Sequence, residues 1–143
     1  MTVYERIRVE PISGALGAEI SGVDVAGELD AATIGEIRQA LLEHLVIFFR
    51  DQELSVARHK SFTRRFSDIF VHPNYQLGQE DKEMVYLLRR PGDTSVAGEK
   101  WHADTTMTAT PPMGAILHAL KVRSEERRVG KGVDLGGRRI IKK

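Results

Sequence analysis

No cysteine occurs among the 143 residues. Disulfides, thiolate metal sites and cysteine nucleophiles are therefore all excluded. A long apolar run is also missing: the longest strongly apolar stretch, Leu45 to Phe49, is far too short to span a bilayer. The N-terminus, Met1 to Glu10, carries Glu5, Arg6 and Arg8 with no apolar stretch behind them, so it does not read as a signal peptide. Five Pro and 13 Gly are too few for a disordered or fibrous chain. These absences leave a soluble, cytoplasmic protein without membrane attachment as the expectation.

What is present suits one ordinary domain: 41% of the residues are hydrophobic and 29% are charged. The net charge of +1 hides a split. Residues 123–143 hold eight Lys or Arg against three Asp or Glu, a net of +5, which leaves 13 basic and 17 acidic residues, a net of −4, in residues 1–122. An acidic body followed by a basic tail places a compositional boundary at Val122.

The body alternates short extended stretches with two helices. Ile7 to Ile12 alternates apolar and polar residues and stops at Pro11, which predicts a strand. Gly14, Gly17 and Gly22 punctuate a turn-rich stretch with a second short strand at Ala18 to Ser21. Asp30 reads as an N-cap, and Ile34, Ile37, Leu41 and Leu45 recur at helical spacing, predicting an amphipathic helix over Ala31 to His44. Val46 to Phe49 reads as a buried strand. Ser55 can cap a second helix with His59, Phe62, Phe66 and Ile69 on one face. After the loop His72-Pro73-Asn74-Tyr75 come a strand at Met84 to Leu88, a polar loop from Arg89 to Lys100, and extended stretches around Trp101 to Met107 and Met113 to Val122. This order indicates an α+β or decorated β fold rather than alternating βαβ units.

The chemistry-bearing string is Trp101-His102-Ala103-Asp104. On a strand, residues two apart share a face, so His102 and Asp104 can offer an imidazole nitrogen and a carboxylate oxygen to one metal ion. With a distant second His they would complete a facial triad, which leaves three adjacent positions of an octahedral iron free. Taken alone, such a pair arises often by chance, and a surface histidine beside a carboxylate is the simpler reading.

Its context changes the balance. Residues 101–107, followed by Thr110-Pro111-Pro112-Met113-Gly114-Ala115-Ile116-Leu117, resemble the iron-binding segment of the taurine dioxygenase family. Gly17-Ala18-Glu19-Ile20-Ser21-Gly22-Val23-Asp24 resembles that family's N-terminal signature. Val46-Ile47-Phe48-Phe49-Arg50-Asp51-Gln52 is similar to its next landmark, and Phe66 to Tyr75 to the one after. The resemblance implies a double-stranded β-helix (jelly-roll) core with flanking helices, incomplete over residues 1–122. It implies Fe(II), 2-oxoglutarate as co-substrate and O2, with His102 and Asp104 as iron ligands. It further implies hydroxylation of a small organic acid such as a sulfonate or sulfate ester, giving succinate and CO2. A homo-oligomeric full-length parent is compatible with it.

By the same resemblance His72 and Tyr75 contact the substrate head group, against the alternative of a capping histidine and a loop aromatic. The backbone N–H of Thr105, next to the ligand pair, is expected to face the substrate as well. Gly98 stands where the taurine branch has an Asn, and Met107 replaces an aromatic, so taurine itself is not the expected substrate. His44, His59 and His118 have no motif around them, and His59 and His118 read as structural.

After Val122 the resemblance ends. The Gly-Gly-Asp-Thr segment, the second iron His and the 2-oxoglutarate Arg of the family are absent. Residues 123–143 instead resemble a translated sequencing adapter, with one base lost within the codon for Gly132 and a terminal A run encoding Lys142 and Lys143. The contrasting reading is a non-catalytic metal- or nucleic-acid-binding protein with a basic C-terminal arm. The tail has no aromatic residue for base stacking and no helical apolar stripe. No nucleic-acid partner is therefore expected.

Overall fold

The computed structural model describes residues 2–72, 81–88, 94, 101–102, 105–106 and 108–121. Its elements are β1 (Arg8–Pro11), β2 (Ala18–Ser21), α1 (Ala31–His44), β3 (Ile47–Phe49) and α2 (Val56–Arg64). Both helices begin where the sequence places a cap. The Asp30 carboxylate accepts the Thr33 N–H at 2.7 Å, and the Ser55 hydroxyl accepts the Arg58 N–H at 3.3 Å. Each bond satisfies a donor that the first helical turn leaves without an intrahelical partner.

The inner face of α1 consists of Ile34, Ile37 and Ala40, with Ile37 and Ala40 wholly inaccessible. Ile20, Val25, Ile7 and Phe62 complete this core, and Ile116 packs against its edge. The expected stripe needs one correction. Leu45 lies beyond the helix and is exposed, because α1 stops at His44.

That stop is a tight turn. Leu45 has φ 66° and ψ −30°, and the Val46 N–H reaches back to the His44 carbonyl at 2.8 Å. A three-residue turn with positive φ at its centre is strained for a side chain as bulky as leucine. Leu45→Gly removes this conflict and sacrifices little burial. We expect a net gain of about 1 kcal/mol after glycine's own entropic cost. The check is a denaturant midpoint that moves upward; a downward shift would show that the leucine side chain contributes more than its backbone costs.

The three strands form one sheet in the order β1-β2-β3. β1 runs antiparallel to β2, with Arg8 opposite Ser21 and Pro11 opposite Ala18. β2 runs parallel to β3, with Ala18 opposite Ile47 and Ile20 opposite Phe49. Parallel neighbours need a crossover, and α1 supplies it. The described residues therefore contain one β-α-β crossover beside an antiparallel pair, which is not a series of alternating βαβ units. β3 is also not a buried strand: it occupies the sheet edge, and Phe48 is 44% exposed.

Polar side chains fasten this sheet. Arg50 pairs with Glu19 at 3.0 Å across the β2–β3 boundary. Gln52 accepts the Val25 N–H at 2.8 Å and donates to the carbonyls of Arg50 and Val23 at 2.8 and 3.4 Å. The segments 17–24 and 46–52, separate landmarks in sequence, are thus one tied unit. The Glu36 carboxylate accepts the backbone N–H groups of Arg6, Glu5 and Ile7 at 3.0–3.3 Å. Desolvation pushes its pKa up, but the three donors outweigh that and hold it below its ordinary value.

Further along the chain the expectations diverge from the structure. Phe66 and Ile69 lie past the end of α2, although Phe66 still stacks edge-on against Phe62 with ring centroids 5.2 Å apart. Residues 84–88 form no strand, and Val85, Tyr86, Leu87 and Leu88 are exposed. Residues 113–121 likewise join no sheet. A strand is defined by its ladder partner, and among the described residues neither segment has one. Among those residues no helix is long and apolar enough to cross a membrane.

Candidate metal centre

His102 follows Trp101 in an irregular stretch, and both side chains are exposed. Asp104, its expected co-ligand, lies outside the described residues, as does Tyr75. His72 is half-buried, eight residues beyond the end of α2, with its ring edge-on to Phe70 at 6.2 Å. Thr105 is half-buried and has φ 48°. Its carbonyl accepts the Thr108 hydroxyl at 3.1 Å. A β-branched residue at positive φ is an uncommon, strained backbone state, and it occurs three residues after His102. The Thr105 backbone is therefore turned sharply where a substrate contact is expected.

The donor set suits iron(II) in kind, since an imidazole and a carboxylate two residues apart are hard-to-borderline nitrogen and oxygen ligands. Their number is two. Among the described residues no group of three or more His, Asp or Glu side chains converges on one point. Two surface cavities among the described residues involve no predicted site residue. One, of about 350 Å3, is lined by Glu5, Arg6, Ile7, Arg8, Ser21 and Gly22. The other, of about 30 Å3, lies between residues 25–29 and α2.

His59 and His118 lie together. His59 is 7% exposed, its Nε2 lies 3.1 Å from the Ile116 carbonyl, and its ring meets that of His118 edge-on at 6.1 Å. A carbonyl can only accept, so His59 carries its proton on Nε2.

One cluster escaped sequence reasoning. Lys60 pairs with Asp81 at 2.6 Å and with Glu83 at 2.9 Å, while Arg64 pairs with Glu83 at 2.6 Å. The Lys60 side chain is only 16% exposed. Hydrogen bonds donated to Asp81 and then Glu83 raise the Lys60 pKa, and the bond from Lys60 lowers that of Asp81. Bonds from Lys60 and Arg64 lower that of Glu83. The available signal was the i, i+4 spacing of Lys60 and Arg64, which puts both cations on one helix face.

Comparison with known proteins places this arrangement in context. A family model described as "Taurine catabolism dioxygenase TauD, TfdA family" matches residues 8–132. The alpha-ketoglutarate-dependent sulfate ester dioxygenase of Pseudomonas putida is 34% identical over 113 residues, 78% of this chain and 36% of that protein. The alkylsulfatase of Acinetobacter baylyi is 32% identical over 117 residues, 81% of this chain and 36% of that protein. A crystal structure of a Burkholderia xenovorans protein, assigned as an alpha-ketoglutarate-dependent taurine dioxygenase, superposes with a TM-score of 0.59 at 37% identity. It covers 74% of this chain and 37% of that one. The chain thus spans 36% of the length of the curated relatives described.

Proposed function

The chain belongs to the taurine catabolism dioxygenase TauD, TfdA family, and from that membership we propose that it carries two iron ligands of a 2-oxoglutarate-dependent dioxygenase acting on a small organosulfate. The family's members are enzymes that use iron(II), 2-oxoglutarate and O2. The sulfate ester class is supported by the names of the two relatives from P. putida and A. baylyi. Gly98, in place of the taurine branch's Asn, speaks against taurine itself. The single observation that carries the reading is the family match spanning the His102-x-Asp104 pair.

In this reading His102 and Asp104 hold iron(II) as two of three protein donors. When bound, the iron supplies the oxidising chemistry, and 2-oxoglutarate is consumed to succinate and CO2. The chain's own residues position the substrate. His72 and Tyr75 would take its anionic head group, and the turned backbone at Thr105 would offer the substrate an N–H. The surrounding core is the jelly roll that the family resemblance implies.

Residues 123–143 we read as a non-native, adapter-like tail, although the family match runs on to residue 132. Genomic DNA beyond codon 122 tests this directly. A frame continuing into Gly-Gly-Asp-Thr, with a later His and Arg, agrees with the proposal. An authentic stop after Lys143 favours the binding protein with a basic arm.

The functional test uses the protein encoded by that continued frame, supplied with iron(II), ascorbate, 2-oxoglutarate and a panel of alkyl sulfates. Succinate release that depends on the alkyl sulfate is expected. Succinate at the blank level with every member of the panel would sink the organosulfate reading. The 143-residue chain alone should stay at the iron-only blank, because a two-donor site holds iron poorly and the co-substrate Arg is missing.

A further inference from the structure

Helix α2 touches two segments that lie far apart in the sequence. On one side, Lys60 and Arg64 pair with Asp81 and Glu83 through three ion pairs of 2.6–2.9 Å. On the adjacent side, His59 donates to the Ile116 carbonyl and meets His118 edge-on, while Ile116 packs against the core. Lys60 and Arg64 sit one turn apart, whereas His59 is rotated about 100° from Lys60, so one short helix can serve both segments without competition. Residues 81–83 and 116–118 bracket the stretch that carries His102 and Asp104. Neither bracket belongs to a sheet, so side-chain bonds to α2 take the place that a ladder has elsewhere.

We propose that α2 is the common dock that fixes both ends of the metal-ligand stretch, with Lys60 holding its entry and His59 its exit as positioning residues. The metal part of this statement rests on the proposed function; the docking part does not. Lys60 is suited to its task because its side chain is largely buried between two carboxylates, where water screens the pairs less than on an open surface. His59 is suited because it is buried and its Nε2–H is directed at a backbone carbonyl that has no strand partner among the described residues.

Limited chymotrypsin digestion of the whole chain reads the two ends separately. Tyr86, Leu87 and Leu88 report the entry, Leu117 and Leu120 the exit, and Leu42 on α1 the rest of the fold. When opening is fast, cleavage follows the population of the open segment. His59→Leu should raise cleavage at Leu117 and Leu120 about tenfold, and Lys60→Met should do so at residues 86–88. Leu42 should change little in either variant. His59→Gln keeps an N–H donor near the Nε2 position and should restore slow cleavage, as Lys60→Arg should at the entry. A long-range 15N spectrum should show His59 protonated on Nε2.

Unchanged cleavage at both ends, or an equal rise at Leu42, would overturn the dock. So would a glutamine variant as open as the leucine one. In the protein encoded by the continued frame, His59→Leu should also weaken iron(II) binding, with His59→Gln restoring it. If the exit opens and iron affinity stays the same, the positioning role is wrong. If wild type binds no iron at all, the proposed function fails while the docking result stands on its own.

Discussion

His102→Ala, made in the protein encoded by the continued frame, is expected to lose iron binding and succinate formation together. A facial site surrenders both affinity and geometry when one of its three protein donors is removed. Changing a group that merely orients a ligand already costs about 10–100-fold, so loss of the ligand itself should exceed about a hundredfold. Anaerobic titration of the iron–2-oxoglutarate chromophore measures the binding, and succinate measures turnover. His72→Ala provides the contrast, because His72 lies beside Phe70 in the chain segment following α2. It should leave iron and 2-oxoglutarate binding intact, raise the substrate KM and release succinate uncoupled from substrate oxidation. Full iron affinity in His102→Ala would remove His102 from the ligand set. Normal coupling with an unchanged KM in His72→Ala would make that loop merely structural.

Ile37→Ala should destabilise the fold by about 3 kcal/mol. Ile37 is wholly inaccessible near the middle of α1, in one cluster with Ile20 and Phe62. Truncation there removes buried methyl groups and leaves a cavity that the surrounding side chains cannot fully close. Leu42→Ala, on the same helix but 60% exposed, should change stability by no more than about 0.5 kcal/mol. Urea unfolding followed by far-UV circular dichroism separates the two. Equal effects would mean that the inner face of α1 is not the core.

The two variants also mark how far sequence reading reaches. The α1 boundaries, the Asp30 and Ser55 caps and the Ile34–Ile37 face were legible because each depends on residues within one or two turns. The strand at Ala18–Ser21 was legible from its flanking glycines, and Gly17 and Gly22 indeed have φ of 94° and 82°. At 84–88 the same local reasoning failed. Those residues have strand-like composition, but a strand exists only where a neighbouring backbone completes its hydrogen bonds.

The candidate centre divides in the same way. Residue type and spacing single out His102 and Asp104, and the family match covers them. Nothing in the chain around His59 announces that it bonds to Ile116, 57 residues later, or that Lys60 meets Asp81 across 21. By itself the sequence determined the capped helices, the buried face of α1, the spacing of His102 and Asp104 and the family, because these reside in short-range chemistry and ordered motifs. Only the tertiary structure decided that β2 and β3 run parallel across α1, that Leu45 closes the helix in a strained turn, and that α2 bonds to both residues 81–83 and 116–118. Those features depend on which distant backbone and side-chain groups satisfy one another, and local propensity carries no information about that choice.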